Sequence, residues 1–387
     1  MGKESPFSFI KILMLLFLIF TSCYGQDVPE DELNVRINSY FDNFRVTVIY
    51  PQISVSKKIG DNTSISGRYL SDVISAASMK ANFQVDGITS ATTRKEGGAD
   101  NTPDEWRNEF GAGITQKVFD GILSLNSSYS IEHDYSSKTI ISSLSYPFLK
   151  KNTVLQFSFL KSFDKVFPQI RTWVRDRNTT TFNAGLTQVL SKNIITQLNG
   201  TYTTVSGYML DGYQVVRIIE NANTYKTYEP VEPDFRIRRA LGIRTNFGLT
   251  GSLTLQLGYR YYWDSWDVKS NTVSAMVSNN FSPVVSGSFE YRHYWQTGAF
   301  FFKPVYTQPE QYMSVDGKLN SGHSDEAVFS LVLKGSKIYD VPFINSDKLS
   351  LTGSFGFYRR YTDSPDWFTD LQTLYAYILS AGLRYNF

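Results

Sequence analysis

One cysteine in 387 residues, Cys23, leaves no internal disulfide framework and no cysteine-based metal spacing. Three histidines are spread along the chain, and no nucleophile constellation or phosphate-cradling glycine motif accompanies them. The expected sets of catalytic residues and of metal ligands are therefore empty. Charge is scarce as well. Charged residues make up 19% of the chain and the net formal charge is +2, which implies no pull toward nucleic acid. Long apolar runs are missing everywhere except Ile12–Phe20, whereas a helical membrane protein would show several runs of about 20 residues.

Aromatic side chains are abundant: 25 Tyr and 28 Phe, within an aromatic total of 15%. Mean hydropathy is nevertheless slightly negative. Many aromatics without apolar runs fit a sheet in which apolar and polar residues alternate. The single run reads as a secretory signal over residues 1–25, with Lys3 and Lys11 ahead of it and small residues behind. Cleavage before Gln26 leaves residues 26–387 as one mature domain without cysteine. The alternative is a lipoprotein, because Thr21-Ser22-Cys23 resembles the end of a lipobox.

Alternation is clearest at the end of the chain. Tyr375, Tyr377, Leu379, Ala381, Leu383, Tyr385 and Phe387 share one face, and Ala376, Ile378, Ser380, Gly382, Arg384 and Asn386 share the other. The same pattern marks Leu253–Trp263, where Leu255 opposes Gln256. It recurs in Val285–Trp295, Leu349–Phe357 and Leu123–Ile131. No segment offers the helical periodicity of a covering layer. The stretches are also longer than the 5–6 residues usual in soluble sheets, and about 9–11 tilted residues cross a bilayer core.

The expected strands are 33–41, 43–58, 62–73, 105–117, 121–133, 137–147, 152–162, 178–190, 193–208, 235–248, 251–263, 266–280, 283–296, 325–337, 348–361 and 372–387. This is an all-β chain, a transmembrane antiparallel barrel of about 16 strands, with 14 as the alternative if the first pair fails. Short connections near Gly60-Asp61, Phe119-Asp120-Gly121, Leu149–Asn152, Ser191-Lys192, Leu249–Gly251 and Ser282-Pro283 alternate with long ones at 74–104, 163–177, 209–234, 297–324 and 362–371. The long set is expected outside the cell and the short set in the periplasm. All six tryptophans, Trp106, Trp173, Trp263, Trp266, Trp295 and Trp367, fall in or beside long connections, as an outer girdle and loop residues.

The polar faces carry Arg68, Arg107, Glu109, Glu132, Asp134, Arg236, Arg238, Arg244, Arg260, Glu290, Arg292, Arg360 and Arg384, with arginine in excess. Two readings stand: an anion-favouring channel, or an interior crossed by ion pairs that packs the barrel shut.

Three stretches carry a family resemblance: Tyr69–Ser78, Trp106-Arg107-Asn108-Glu109-Phe110, and Tyr129–Tyr135. With them the mature chain resembles an uncharacterised bacterial family of outer-membrane barrels known only as a domain of unknown function. The resemblance implies the barrel fold and the bacterial outer membrane as its place. The terminal Phe387 resembles the signal by which such barrels reach the insertion machinery. The implied partners are that machinery and outer-membrane lipid, with the oligomeric state open.

A short repeat lies in the first long connection. Asp72-Val73-Ile74-Ser75-Ala76-Ala77-Ser78 is echoed by Asp86-Gly87-Ile88-Thr89-Ser90-Ala91-Thr92. Both copies are similar to the acceptor motif of exported flavoproteins, in which a transferase joins FMN to the final hydroxyl. That resemblance implies Thr92, or Ser78 in the first copy, as acceptor and Asp86 or Asp72 as the acidic residue. A covalent FMN and an FMN transferase would then be cofactor and partner. Ser90 and Ala76 stand where the motif usually has Gly. The alternative is a polar loop rich in Ser, Thr and Asp. The function expected is a porin-like channel or structural barrel. The alternative is a redox protein carrying FMN on the 74–104 loop.

Overall fold

The computed structural model describes residues 28–44, 46–75, 105–169, 171–210, 212, 214–221, 224–336, 346–362 and 372–387. The signal segment 1–25 lies outside them, as do Ser78, Asp86 and Thr92. The first half of the chain supplies β1 (Glu32–Asp42), β2 (Thr47–Ile59), β3 (Thr63–Ser75), β4 (Glu105–Val118), β5 (Gly121–Ile131), β6 (Tyr135–Phe148), β7 (Thr153–Val166), β8 (Arg175–Ser191) and β9 (Ile194–Gly207). After them come the short β10 (Val216–Asn221) and β11 (Thr224–Tyr228). The second half adds β12 (Phe235–Gly248), β13 (Leu253–Asp264), β14 (Lys269–Asn280), β15 (Val285–Gln296), β16 (Gly322–Lys334), β17 (Leu349–Thr362) and β18 (Thr373–Asn386).

Sixteen of these strands form one closed antiparallel barrel, β1 to β9 followed by β12 to β18, with β1 paired to β18. Closure leaves no unpaired strand edge, which a hydrocarbon surrounding would penalise heavily. All sixteen expected strands are present, so the fourteen-strand alternative falls. The first pair, β1 and β2, is the seam that closes the ring.

The alternation read from sequence sets the two faces. Ile37, Phe110, Leu125, Phe157, Leu241, Leu257, Phe289, Phe329, Phe355 and Leu379 are all exposed on the outer surface. Large apolar side chains facing outward around a whole barrel make sense only against lipid. Their sequence neighbours point into the lumen.

The two rims differ. Both described chain ends meet at one rim, where the Phe387 amide donates to the Asp31 carbonyl at 3.2 Å. Tight turns collect there, including the β2–β3 turn in which Gly60 takes φ +65°. The opposite rim carries the connections 208–234 and 297–321, and β3 ends and β4 begins there. One connection departs from the expected alternation: 335–348, between β16 and β17, is long yet belongs to the rim of tight turns.

Two expectations need correction. The strand expected over 266–280 starts at Lys269. Asp264 explains the shortening: its Oδ1 accepts from the amides of Trp266 (2.9 Å) and Val268 (3.0 Å), and Asp267 takes φ +62°, so the chain turns there. Trp266 consequently lies buried inside the mouth and does not join the outer girdle.

Candidate functional site

Lumen-facing residues divide the wall into three sectors. In the first, β3 to β8, charges are paired. Arg68 is bound to Glu109, and Arg107 lies 3.3 Å from Glu109, 3.7 Å from Asp72 and 3.7 Å from Glu132. Asp164 accepts from Arg177 Nε (2.9 Å) and from Ser137 (2.7 Å), while Arg177 also donates to the Tyr135 hydroxyl at 2.8 Å. This sector matches the packed-interior reading.

The second sector is different. Arg238 and Arg244 on β12 and Arg260 on β13 also face the lumen; Arg238 stands directly across from Asp264, whereas Arg244 and Arg260 have no ion-pair or hydrogen-bond partner among the described residues. Arg244 and Arg260 are solvent-exposed. Their registers interlock: Gly242 pairs with Arg260, and Arg244 with Gly258. Arg244 and Arg260 thus each lie beside a glycine of the neighbouring strand, which leaves room on that side for the guanidinium.

A serine row crosses the third sector. Ser278, Ser288, Ser330, Ser354 and Ser380 are successive cross-strand partners on β14 to β18, ending at Asn38 of β1. Ser380 donates to Asn38 Oδ1 at 2.7 Å. Small hydroxyls at mid-strand leave this wall thin and wettable. Barrels of 16–18 strands are wide enough to hold an aqueous channel.

The mouth at the loop rim is structured by apolar contacts that the sequence reading did not anticipate. Trp266, Val268, Ala299, Phe301 and Leu319 form one buried cluster, with Met209 and Tyr262 against it. Val216 and Ile218 of the β10–β11 hairpin pack with Tyr306 and Met313 in a second. The long connections are therefore only partly the polar loops expected. Asp264 ties this cap to the wall: Arg236 Nε donates to its Oδ2 at 2.9 Å and the Tyr262 hydroxyl at 2.6 Å. The Arg236 guanidinium lies 4.2 Å from the Trp266 ring centroid.

The two long connections are joined by a backbone pair between Val231 and Met313, each amide donating at 2.8 Å. Beside it, Ser314 Oγ donates to Glu232 Oε1 at 2.8 Å. Burial is the largest influence on Glu232 and pushes its carboxyl up to about 7, with Asp316 adding to the rise and Ser314 and Arg236 opposing it.

Of the residues singled out for flavin attachment, only Asp72 is described. It sits near the loop-rim end of β3, facing the lumen, with Arg107 as its cationic neighbour. Ser78, Asp86 and Thr92 lie outside the described residues. Of the histidines, His133 lies 3.7 Å from Asp134. His293 faces outward, its Nδ1 2.7 Å from Asp325 Oδ1, which also accepts from the Tyr291 hydroxyl at 2.6 Å. The His323 ring lies between those of His293 and Tyr361, tilted to both, with centroids 6.2 and 5.4 Å away. This outward cluster spans three strands and was invisible until their register was known.

A closed sixteen-strand antiparallel barrel, apolar outside and polar within, is the transmembrane barrel of the outer-membrane class. The chain belongs to the family described as "Protein of unknown function (DUF3570)", matched over residues 22–176 and 161–325. No curated protein matches it. A solved structure described as a bacterial polysaccharide outer membrane secretin is similar at a TM-score of 0.54 and 6% identity, covering 92% of this chain and 98% of that one. A BenF-like porin from Pseudomonas fluorescens Pf-5 gives 0.47 and 10%, covering 95% and 100%. OpdK from Pseudomonas aeruginosa, solved with vanillate, gives 0.45 and 11%, covering 92% and 98%. At such identities the likeness concerns the fold alone.

Proposed function

We propose that the protein is a porin-like channel of the bacterial outer membrane whose lumen favours small anions. The observation that carries this reading is the pair Arg244 and Arg260, both open to water and without an ion-pair partner among the described residues. Fixed positive charge along a water-filled wall attracts anions and repels cations. The rim with the long connections then faces outward, and the tight turns and both chain ends face the periplasm. Ion selectivity of single channels in planar bilayers tests this. Arg244→Gln with Arg260→Gln should reduce the anion preference, whereas Arg68→Gln, removing an arginine already bound to Glu109, should change it less.

The clusters around Trp266 and Tyr306 favour a second reading, a barrel whose mouth is capped and conducts little. Absence of single-channel steps would favour it. A third reading keeps covalent FMN on the 74–104 connection. Its support is the repeated acceptor-like sequence and the placing of β3's end at the loop rim.

A further inference from the structure

The outer, lipid-facing surface of β7, β8, β9 and β12 has an indentation where the apolar belt should be continuous. Phe157, Ala184, Gly200 and Leu241 are successive cross-strand partners on these strands. The two central positions carry a methyl group and a hydrogen. One step nearer the loop rim, Phe159, Phe182, Tyr202 and Arg239 occupy the same four strands. The result is a groove of about 560 Å³, floored by Ala184 and Gly200 and lined mainly by apolar side chains. Gly200 is not required by its backbone, since its φ is not positive, and an added Cβ would meet only Leu241 Cδ2 at 3.4 Å. A larger residue fits the strand but would project into the groove.

Two cations flank the loop-rim end of this groove. Arg239 points to the lipid side and has no ion-pair or hydrogen-bond partner among the described residues. Its guanidinium lies 5.7 Å from the centroid of the Tyr202 ring, and Trp263 is its cross-strand partner on β13. Lys161 on β7 donates to Thr180 Oγ1 at 2.9 Å and lies 5.2 Å from the Phe163 ring, again without a carboxylate. Lys161 is level with Ile237, one two-residue step beyond Arg239 toward the loop rim, so three strand spacings of about 4.8 Å and a step of about 7 Å put the two backbone positions ~16 Å apart. An unpaired cation facing lipid is costly unless it reaches an anionic headgroup, and Trp263 at the groove's edge marks the level where headgroups begin.

We infer that this face is a binding site for one bis-phosphorylated glycolipid of the outer leaflet. One acyl chain fills the groove over Ala184 and Gly200, one phosphate takes the Arg239 fork, and the second lies toward Lys161. The site rests on the outer-membrane placement of the barrel and its loop rim, and it is independent of whether the lumen conducts.

The test is native mass spectrometry of the full-length barrel, delipidated in detergent and re-exposed in parallel to bis-phosphorylated lipid A and to phosphatidylglycerol. Wild type should retain one lipid A in preference to phosphatidylglycerol. Arg239→Gln should cut that retention about fivefold or more, equivalent to roughly 1 kcal/mol. Gly200→Leu should cut it by filling the groove, and Arg359→Gln, an outward cation five strands away on β17, should leave it unchanged. Heat-modifiable gel mobility confirms that each variant is folded. Equal retention of the two lipids, or equal retention by Arg239→Gln and Arg359→Gln, would overturn the assignment. A channel that fails to conduct would leave it standing.

Discussion

Phe289 and Ser288 are adjacent on β15 and face opposite ways, so one pair of substitutions tests the orientation of the whole wall. Phe289 is 51% exposed on the outer surface, between its cross-strand partners Val277 and Phe329. Ser288 stands in the serine row, between Ser278 and Ser330. Phe289→Arg puts a charge into lipid near the middle of the strand, at a cost of about 2–4 kcal/mol. Ser288→Arg adds a side chain that extends into water among hydroxyls and should stay within about 0.5 kcal/mol. Equilibrium urea unfolding in vesicles, followed by tryptophan fluorescence and gel mobility, measures both. Equal costs, or the larger cost at Ser288, would refute the assignment of faces.

Asp264→Asn should be among the most damaging single changes at the mouth, because it leaves the buried Arg236 guanidinium without its carboxylate. Breaking such a pair costs about 3–5 kcal/mol, readable as a lower urea midpoint. Glu232 should make the joint between the two long connections pH-dependent. Its carboxyl titrates near 7 in the folded chain against an ordinary value of 4.5, so the folded form binds the proton more tightly. The joint is therefore firmest below about pH 4.5 and weakens as pH rises through about 7. Proteolysis of the loops across this range should become easier with rising pH, and Glu232→Gln should flatten the profile; an unchanged profile in that variant would refute the role. Co-expression with an exported FMN transferase should give in-gel flavin fluorescence and an FMN mass increment if the third reading holds. Thr92→Val should then remove the label and Ser78→Ala leave it, while an unlabelled wild type would end the redox reading.

The period-two alternation made the barrel legible because a lipid-facing strand must show it on every turn of the chain. Leu255 against Gln256 and Tyr377 against Ile378 fall on the expected sides without exception. Strand ends were harder. The apolar pair Trp266 and Val268 continues the alternation, and only the Asp264 side chain, capping two amides, turns it into a bend. The mouth was not legible at all. Its clusters join residues from connections far apart in sequence, such as Val216 with Tyr306, and no local period announces such contacts.

The same limit applies to the lumen. Sequence identified which arginines face inward but not which are paired. Arg107 meets Glu132 and Arg244 meets no carboxylate because of cross-strand register, which a list of alternating residues does not contain. The groove over Ala184 and Gly200 was hidden for the same reason: two small residues on separate strands become a feature only when β8 and β9 align.

The reversal potential of the purified barrel across a KCl gradient in a planar bilayer tests the channel reading most directly. A potential on the chloride side, moving toward zero in the Arg244→Gln, Arg260→Gln variant, is the expected result. Cation preference in wild type, or no single-channel steps from protein shown to be folded, would contradict it.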